Sequence, residues 1–149
     1  TPFASPSARQ CGVAAVEFAL VASVFFMMLF GALEFSRLLW TWNAASEATR
    51  YGARLAAVCD RTASDQTFIK TRMRTRLSSL SDSQISITYQ PAGCNATTTP
   101  PICQSVTVAT TGVRFQTLIP FAPVAASMPE FSTTLSRESM VSTGNPVCN

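Results

Sequence analysis

The chain contains no histidine, and its five cysteines include no Cys-x-x-Cys pair. The first absence removes the commonest general base, the usual catalytic triads and most zinc sites; the second removes the thiol spacing of zinc and redox motifs. Charge is scarce as well. Only 13% of the 149 residues are charged and the net charge is +3, too small and too scattered to imply nucleic acid as a partner. Proline is missing from residues 7 to 90, so the strongest helix breaker is excluded from the front of the chain, whereas seven of the nine prolines fall at or near the ends of segments beyond residue 90. Internal repeats and low-complexity tracts are also lacking. The acids Asp60, Asp65, Asp82, Glu130 and Glu138 stand in no recognisable spacing with a nucleophile. Neither catalysis, a cofactor nor a metal site is expected.

What is present is apolar mass in one place. Hydrophobic residues make up 47% of the chain, and Phe18 to Leu33 is a run without charge. Extended back to Val13, the run is broken only by Glu17. At roughly 1.5 Å per helical residue it is about 30 Å long, enough to cross a bilayer core, so a membrane span over about 13–35 is expected. Cysteines at 59, 94, 103 and 148 follow the span and only Cys11 precedes it, which fits a disulfide-permissive compartment. Arg9 ahead of the span places the N-terminus in the cytoplasm and the remainder outside, although Arg37 lies on the other side. A secretory signal is disfavoured because no small-x-small cleavage site follows the apolar run, and a lipoprotein signal because Cys11 comes before it.

From Glu34 the sequence EFSRLLWTWNAASEATRYGARLAAV keeps helical spacing, so one helix is expected from Val13 to Val58, with 36–58 outside the membrane. Its stripe Ala45, Ala48, Gly52 and Ala56 is small and lets another backbone come close, either from the same domain or from a second subunit. Trp40 and Trp42 suit the aromatic belt at the outer membrane interface. In the next segment, SDQTFIKTRMRTRLSSLS, Phe68, Ile69, Met73, Leu77 and Leu80 share a helical face, with Ser64 or Asp65 as N-cap. Lys70, Arg72, Arg74 and Arg76, spaced by two, spread over two sides of that helix and read as a solvated face.

Beyond Ser81 the period changes to two. Strands are expected over 84–90, 104–115 and 131–141, forming a three-stranded antiparallel sheet with a bulge at Gly112 and a loop over IPFAPVAASMP. The fold class is therefore α+β: a long membrane helix, then a small domain over 59–149 with a second helix and a sheet. At that size a hydrophobic core is marginal and disulfides help. Pairing Cys94 with Cys103 would close the connection between the first two strands, leaving Cys59 and Cys148 for each other; four cysteines allow three connectivities, and this one is preferred.

Glu17 needs its own account, since a carboxylate at mid-span costs roughly 2.5 to 3.5 kcal/mol and less nearer an edge. It can rest among headgroups at the boundary, where it also suits the helix dipole. Its setting offers another reading. Gly12, then four residues, then Glu17-Phe18 and an apolar run resemble the processing motif of type IV pilin-like proteins. The longer strings GVAAVEFALV and GALEFSRLLWTWNAASEATRYGARLAAV resemble the TadE-like family of tight-adherence pilus assembly proteins, with a second Glu-Phe at 34 and 35 and the segment Arg50-Tyr51-Gly52-Ala53-Arg54.

That resemblance implies a leader over 1–12, cut by a prepilin peptidase between Gly12 and Val13, with Glu17 and Phe18 completing the motif. Glu17 would then be a docking charge for the new amine on Val13 of a neighbour, because two opposite charges buried together cost far less than either alone. Removal of the leader would take Cys11 with it and leave an even number of cysteines. The partners implied are the peptidase, other pilins and minor pseudopilins, the inner-membrane assembly platform and membrane lipid. The implied role is that of a minor pseudopilin of the inner membrane, its domain periplasmic or carried into the pilus. Two alternatives stand beside it: an adhesin or DNA-binding pilus subunit using Lys70 to Arg76, and a plain single-pass anchor unrelated to pili.

Overall fold

The structure, a computed structural model, describes residues 10–94, 100–119 and 125–148, with side chains from Gly12 onward. Most of the expected leader, and the middle of the connection between residues 91 and 103, lie outside these residues. The elements are helix α1 (Gln10–Val58), helix α2 (Ala63–Arg76), a 3-10 turn (Asp82–Gln84), and strands β1 (Ile85–Gln90), β2 (Ser105–Thr110), β3 (Arg114–Gln116), β4 (Ala125–Ser127) and β5 (Phe131–Ser136). The fold is α+β, as the sequence indicates.

Helix α1 runs unbroken because nothing in it competes with its own hydrogen bonds. Three of its hydroxyls bond within the helix: Ser23 donates to Leu20 O and Ser36 to Ala32 O at 2.8 Å each, and Thr41 to Arg37 O at 2.9 Å. Its last carbonyls, which a helix end leaves open, are closed by the C-terminal tail. Ala57 O accepts from Glu138 N (3.1 Å), and Val58 O from Val141 N (2.9 Å) and Ser139 Oγ (3.0 Å). The disulfide Cys59–Cys148 adds a covalent tie at the same point.

Helix α2 starts one turn earlier than its apolar pattern suggests. Its N-cap is Thr62, whose hydroxyl accepts from Asp65 N at 3.2 Å, not Ser64 or Asp65. Asp65 is more useful inside the first turn, where its carboxylate contacts the Thr62 hydroxyl and accepts from Ser142 Oγ at 2.9 Å. Ser142 Oγ in turn accepts from Asp60 N at 2.8 Å, so the cap, the interhelix link and the tail form one network. The helix stops at Arg76, where Leu77 turns extended; Leu77 and Leu80 are still buried, but by the turn that follows and not by a longer helix.

The main sheet has the order β1-β2-β5, antiparallel throughout, with Ile87 opposite Val108 and Val106 opposite Leu135. Two expectations are corrected here. The run 104–115 is not one strand: the ladder of β2 ends at Thr110, Gly112 stands at φ 68° between β2 and β3 instead of forming a bulge, and Gln84 Nε2 holds its carbonyl at 2.6 Å. The chain beyond it forms β3, which pairs in a separate two-stranded ribbon with β4, a strand inside the expected loop IPFAPVAASMP. The last strand also ends at Ser136, because the tail from residue 137 leaves the sheet to close α1.

The core lies where the outer half of α1 meets the sheet and α2. Ala45, Ala48, Ala53, Ala56, Ile69, Met73, Val106 and Val108 are all buried in one cluster. Each buried Val, Ile or Met contributes about 1.5 to 3 kcal/mol, whereas the alanines serve mainly to bring the backbones together. At the near end of the cluster Trp42 packs edge-on to Phe131, with ring centroids 5.2 Å apart.

Candidate functional site

Helix α1 has two unlike halves. Between Gly12 and Leu33 its side chains are exposed on every face, Ala22 alone being partly covered, and the exposed residues include Val13, Val16, Phe18, Val21, Phe25, Met28 and Phe30. It is the one helix among the described residues long and apolar enough to cross a membrane. A helix that is apolar all round is stable only in lipid or among other helices, so this half marks a membrane anchor. Phe26 stacks along the axis on Phe30, with centroids 6.1 Å apart, and both residues are exposed.

The expected processing and docking residues all sit in the first two turns of this bare half. Gly12 is in the helix with open space where a β-carbon would stand, and Val13, Glu17 and Phe18 are exposed. Val13 and Glu17 are four residues apart and therefore share a face. Among the described residues Glu17 has no hydrogen bond or ion pair. Any group that neutralises it comes from outside the described residues.

The next acid behaves differently. Glu34, directly after the uncharged run, has a side chain only 13% exposed, and both of its oxygens are engaged. Arg37 Nη1 donates to Oε2 at 2.9 Å, and the backbone N–H of Leu118 donates to Oε1 at 2.8 Å. The Arg37 guanidinium also stands 5.5 Å from the centre of the Phe115 ring on β3. One carboxylate and one guanidinium thus tie the β3–β4 ribbon to the root of the span. The sequence showed Glu34 only as part of a second Glu-Phe pair; its contact with residue 118 is across the fold and has no local signal.

Past Thr41 the helix becomes part of the domain. The stripe Ala45, Ala48, Gly52 and Ala56 is buried inside this subunit, so its close approach is to its own α2 and sheet and not to a free surface. Gly52 shows why the stripe is small: an added β-carbon would stand 2.4 Å from Met73 Sδ. Around it, Arg50 and Arg54 face outward with Glu47 and, from α2, Arg76, lining a shallow cavity of about 230 Å³ beside Tyr51. Arg50 is 3.5 Å from Glu47, both exposed, a pair contributing at most about 1 kcal/mol.

The basic residues of α2 do not converge. Arg72 lies over Phe68 at 4.9 Å, Arg76 over Tyr51 at 4.8 Å, and Arg74 pairs with Asp82 at 3.5 Å. Three of the four charges are thereby engaged within the subunit, on partners in α2, α1 and the turn at Asp82. Trp40 is exposed one turn beyond Arg37, whereas Trp42 is partly used by Phe131. The structure joins Cys59 to Cys148 and Cys94 to Cys103, with S–S distances of 2.05 and 1.93 Å. Among the described residues no cluster of cysteine and acid side chains could hold a metal.

Residues 12–54 match the model of the family described as TadE-like protein. The match covers the bare half of α1 and its entry into the domain, through Arg54, and leaves the sheet outside it. No curated protein and no solved structure matches the chain.

Proposed function

We propose that this protein is a minor pseudopilin of a tight-adherence pilus, anchored by α1 in the inner membrane with its α+β domain on the periplasmic side. It acts by assembling and not by catalysis. A prepilin peptidase cuts between Gly12 and Val13, and the released subunits pack side by side through the bare half of α1. The family match over residues 12–54 supports involvement in pilus assembly. The observation that carries the assembly mechanism is Glu17: an exposed carboxylate without a partner among the described residues, the fifth residue after the cleavage point, in a helix otherwise uncharged to Leu33. Buried alone in lipid it costs several kcal/mol, and the amine of a neighbouring Val13 offsets that cost only once subunits meet. The domain, too large for a simple filament shaft, serves contacts with other pilins and the assembly platform.

The test is peptide mass analysis of the protein from its native membrane, with and without the host peptidase. A peptide starting at Val13 that depends on the peptidase is expected, and Glu17→Ala is expected to leave insertion intact while abolishing co-purification with other pilins. An uncut N-terminus, or association indifferent to Glu17→Ala, overturns the proposal.

A further inference from the structure

We infer that the β3–β4 ribbon is a second point of contact with the membrane that α1 crosses, through Leu118 seated in the outer interfacial layer of lipid. This rests on the membrane-anchored reading of α1 and adds a surface to it.

The height of the ribbon is fixed by Glu34. That residue follows Leu33, the last of the uncharged run, so it marks the level at which the span leaves the hydrocarbon. The Leu118 N–H is held on its carboxylate at 2.8 Å, and Phe115 on the same ribbon lies under the Arg37 guanidinium. Leu118 is therefore within a few ångströms of that level, yet its side chain is 72% exposed and packs on no core.

The chemistry around it is that of a membrane boundary. Ile119, the next residue, is apolar as well. Arg37 and the exposed Trp40 occupy the next turn of α1, and a cation with an indole at the edge of a span is the usual arrangement at headgroup depth. An apolar side chain beside such a boundary gains by leaving water for lipid, and the exposed Leu33, next to Glu34 in α1, brings the bare surface of the helix to the same level. A lone helix is free to tilt and to turn about its axis; a second contact off the axis removes that freedom, so the domain is presented at one angle.

The test uses the full chain in vesicles of phosphatidylethanolamine and phosphatidylglycerol, with lipids brominated high on their acyl chains as quenchers of tryptophan. In a background carrying Trp40→Phe and Trp42→Phe, a tryptophan is placed singly by Leu118→Trp, by Val24→Trp in mid-span, or by Val147→Trp beside the far end of α1. Loss of most of the fluorescence of Leu118→Trp, together with quenching of Val24→Trp and none of Val147→Trp, supports the inference. Quenching of Val24→Trp alone overturns it while leaving the anchor in place. Quenching of none overturns the anchor and the inference together, and quenching of all three shows a domain lying on the membrane without a specific contact, which overturns it also.

Discussion

The hydroxyl of Thr49 has one proton, which it gives to Ala45 O at 2.8 Å, so its oxygen accepts from Thr110, 3.1 Å away on β2. Both residues are buried, and the pair is a polar stitch between α1 and the sheet in an otherwise apolar contact. Thr49→Val removes the acceptor and strands the Thr110 hydroxyl, at a cost of about 1 to 3 kcal/mol. Adding Thr110→Val should return most of that loss, because neither group is then left without a partner. Thermal unfolding of the two single variants and the double variant in detergent measures the coupling; strictly additive losses would remove the stitch from the account.

Gly52→Ala should destabilise the domain. Alanine favours a helix by about 1 kcal/mol over glycine, but its methyl meets the buried Met73 side chain, and overpacking costs about 1 to 3 kcal/mol. The net loss is expected to shrink when Met73→Ala is present, since the space is then shared. Unchanged or raised stability in Gly52→Ala alone would show that Met73 moves aside freely.

Burial holds the Tyr89 phenol above its ordinary value of 10, at about 12, with Arg61 opposing and Asp65 and Asp60 adding to the rise. Its hydroxyl also has no hydrogen-bond partner among the described residues. Between pH 10 and 12 the unfolded chain has released this proton and the folded chain has not. The unfolded state then binds fewer protons, so stability falls as pH rises through that window, and the contribution is intact below pH 10. Tyr89→Phe should flatten this alkaline decline without loss at neutral pH. Denaturant titrations at pH 8, 10 and about 11 give the comparison.

The two disulfides should differ in weight. They close separations of 89 and 9 residues, for which the chain-entropy relation gives about 4 to 5 and about 2 to 3 kcal/mol. Replacing both Cys59 and Cys148 by serine is expected to lower the melting temperature more than replacing both Cys94 and Cys103. The reverse order would mean that the C-terminal network of Asp65, Ser142 and the α1 carbonyls holds without the covalent tie.

The helical front and the main sheet were legible because their signals are periodic and long: a proline-free stretch with apolar spacing, then alternation in QISITYQ and QSVTVATTGVRF. What was missed depends on contacts between distant residues. β4 is three residues, Ala125, Ala126 and Ser127, with no branched or aromatic side chain to announce a strand, and it exists through pairing with β3. Gly112 read as a bulge because alternation resumes after it; only the structure shows it at positive φ between strands of two different sheets, its carbonyl held by Gln84. Thr62 lost to Ser64 and Asp65 as the expected cap because the apolar pattern does not say where the first turn begins. At the candidate site Glu17 stood out as a charge inside an apolar run, whereas Glu34, at the boundary, gave no hint of its grip on Leu118.

The closure of the C-terminal tail onto α1 has a mechanical side. Because Cys148 is bonded to Cys59, a pull applied between the helix and the chain's last residues travels through one sulfur–sulfur link and bypasses everything from Asp60 to Val147. That segment is a covalent ring hung from the end of a rod. Tension along this path can tilt or detach the ring as a body, but it can release none of its length.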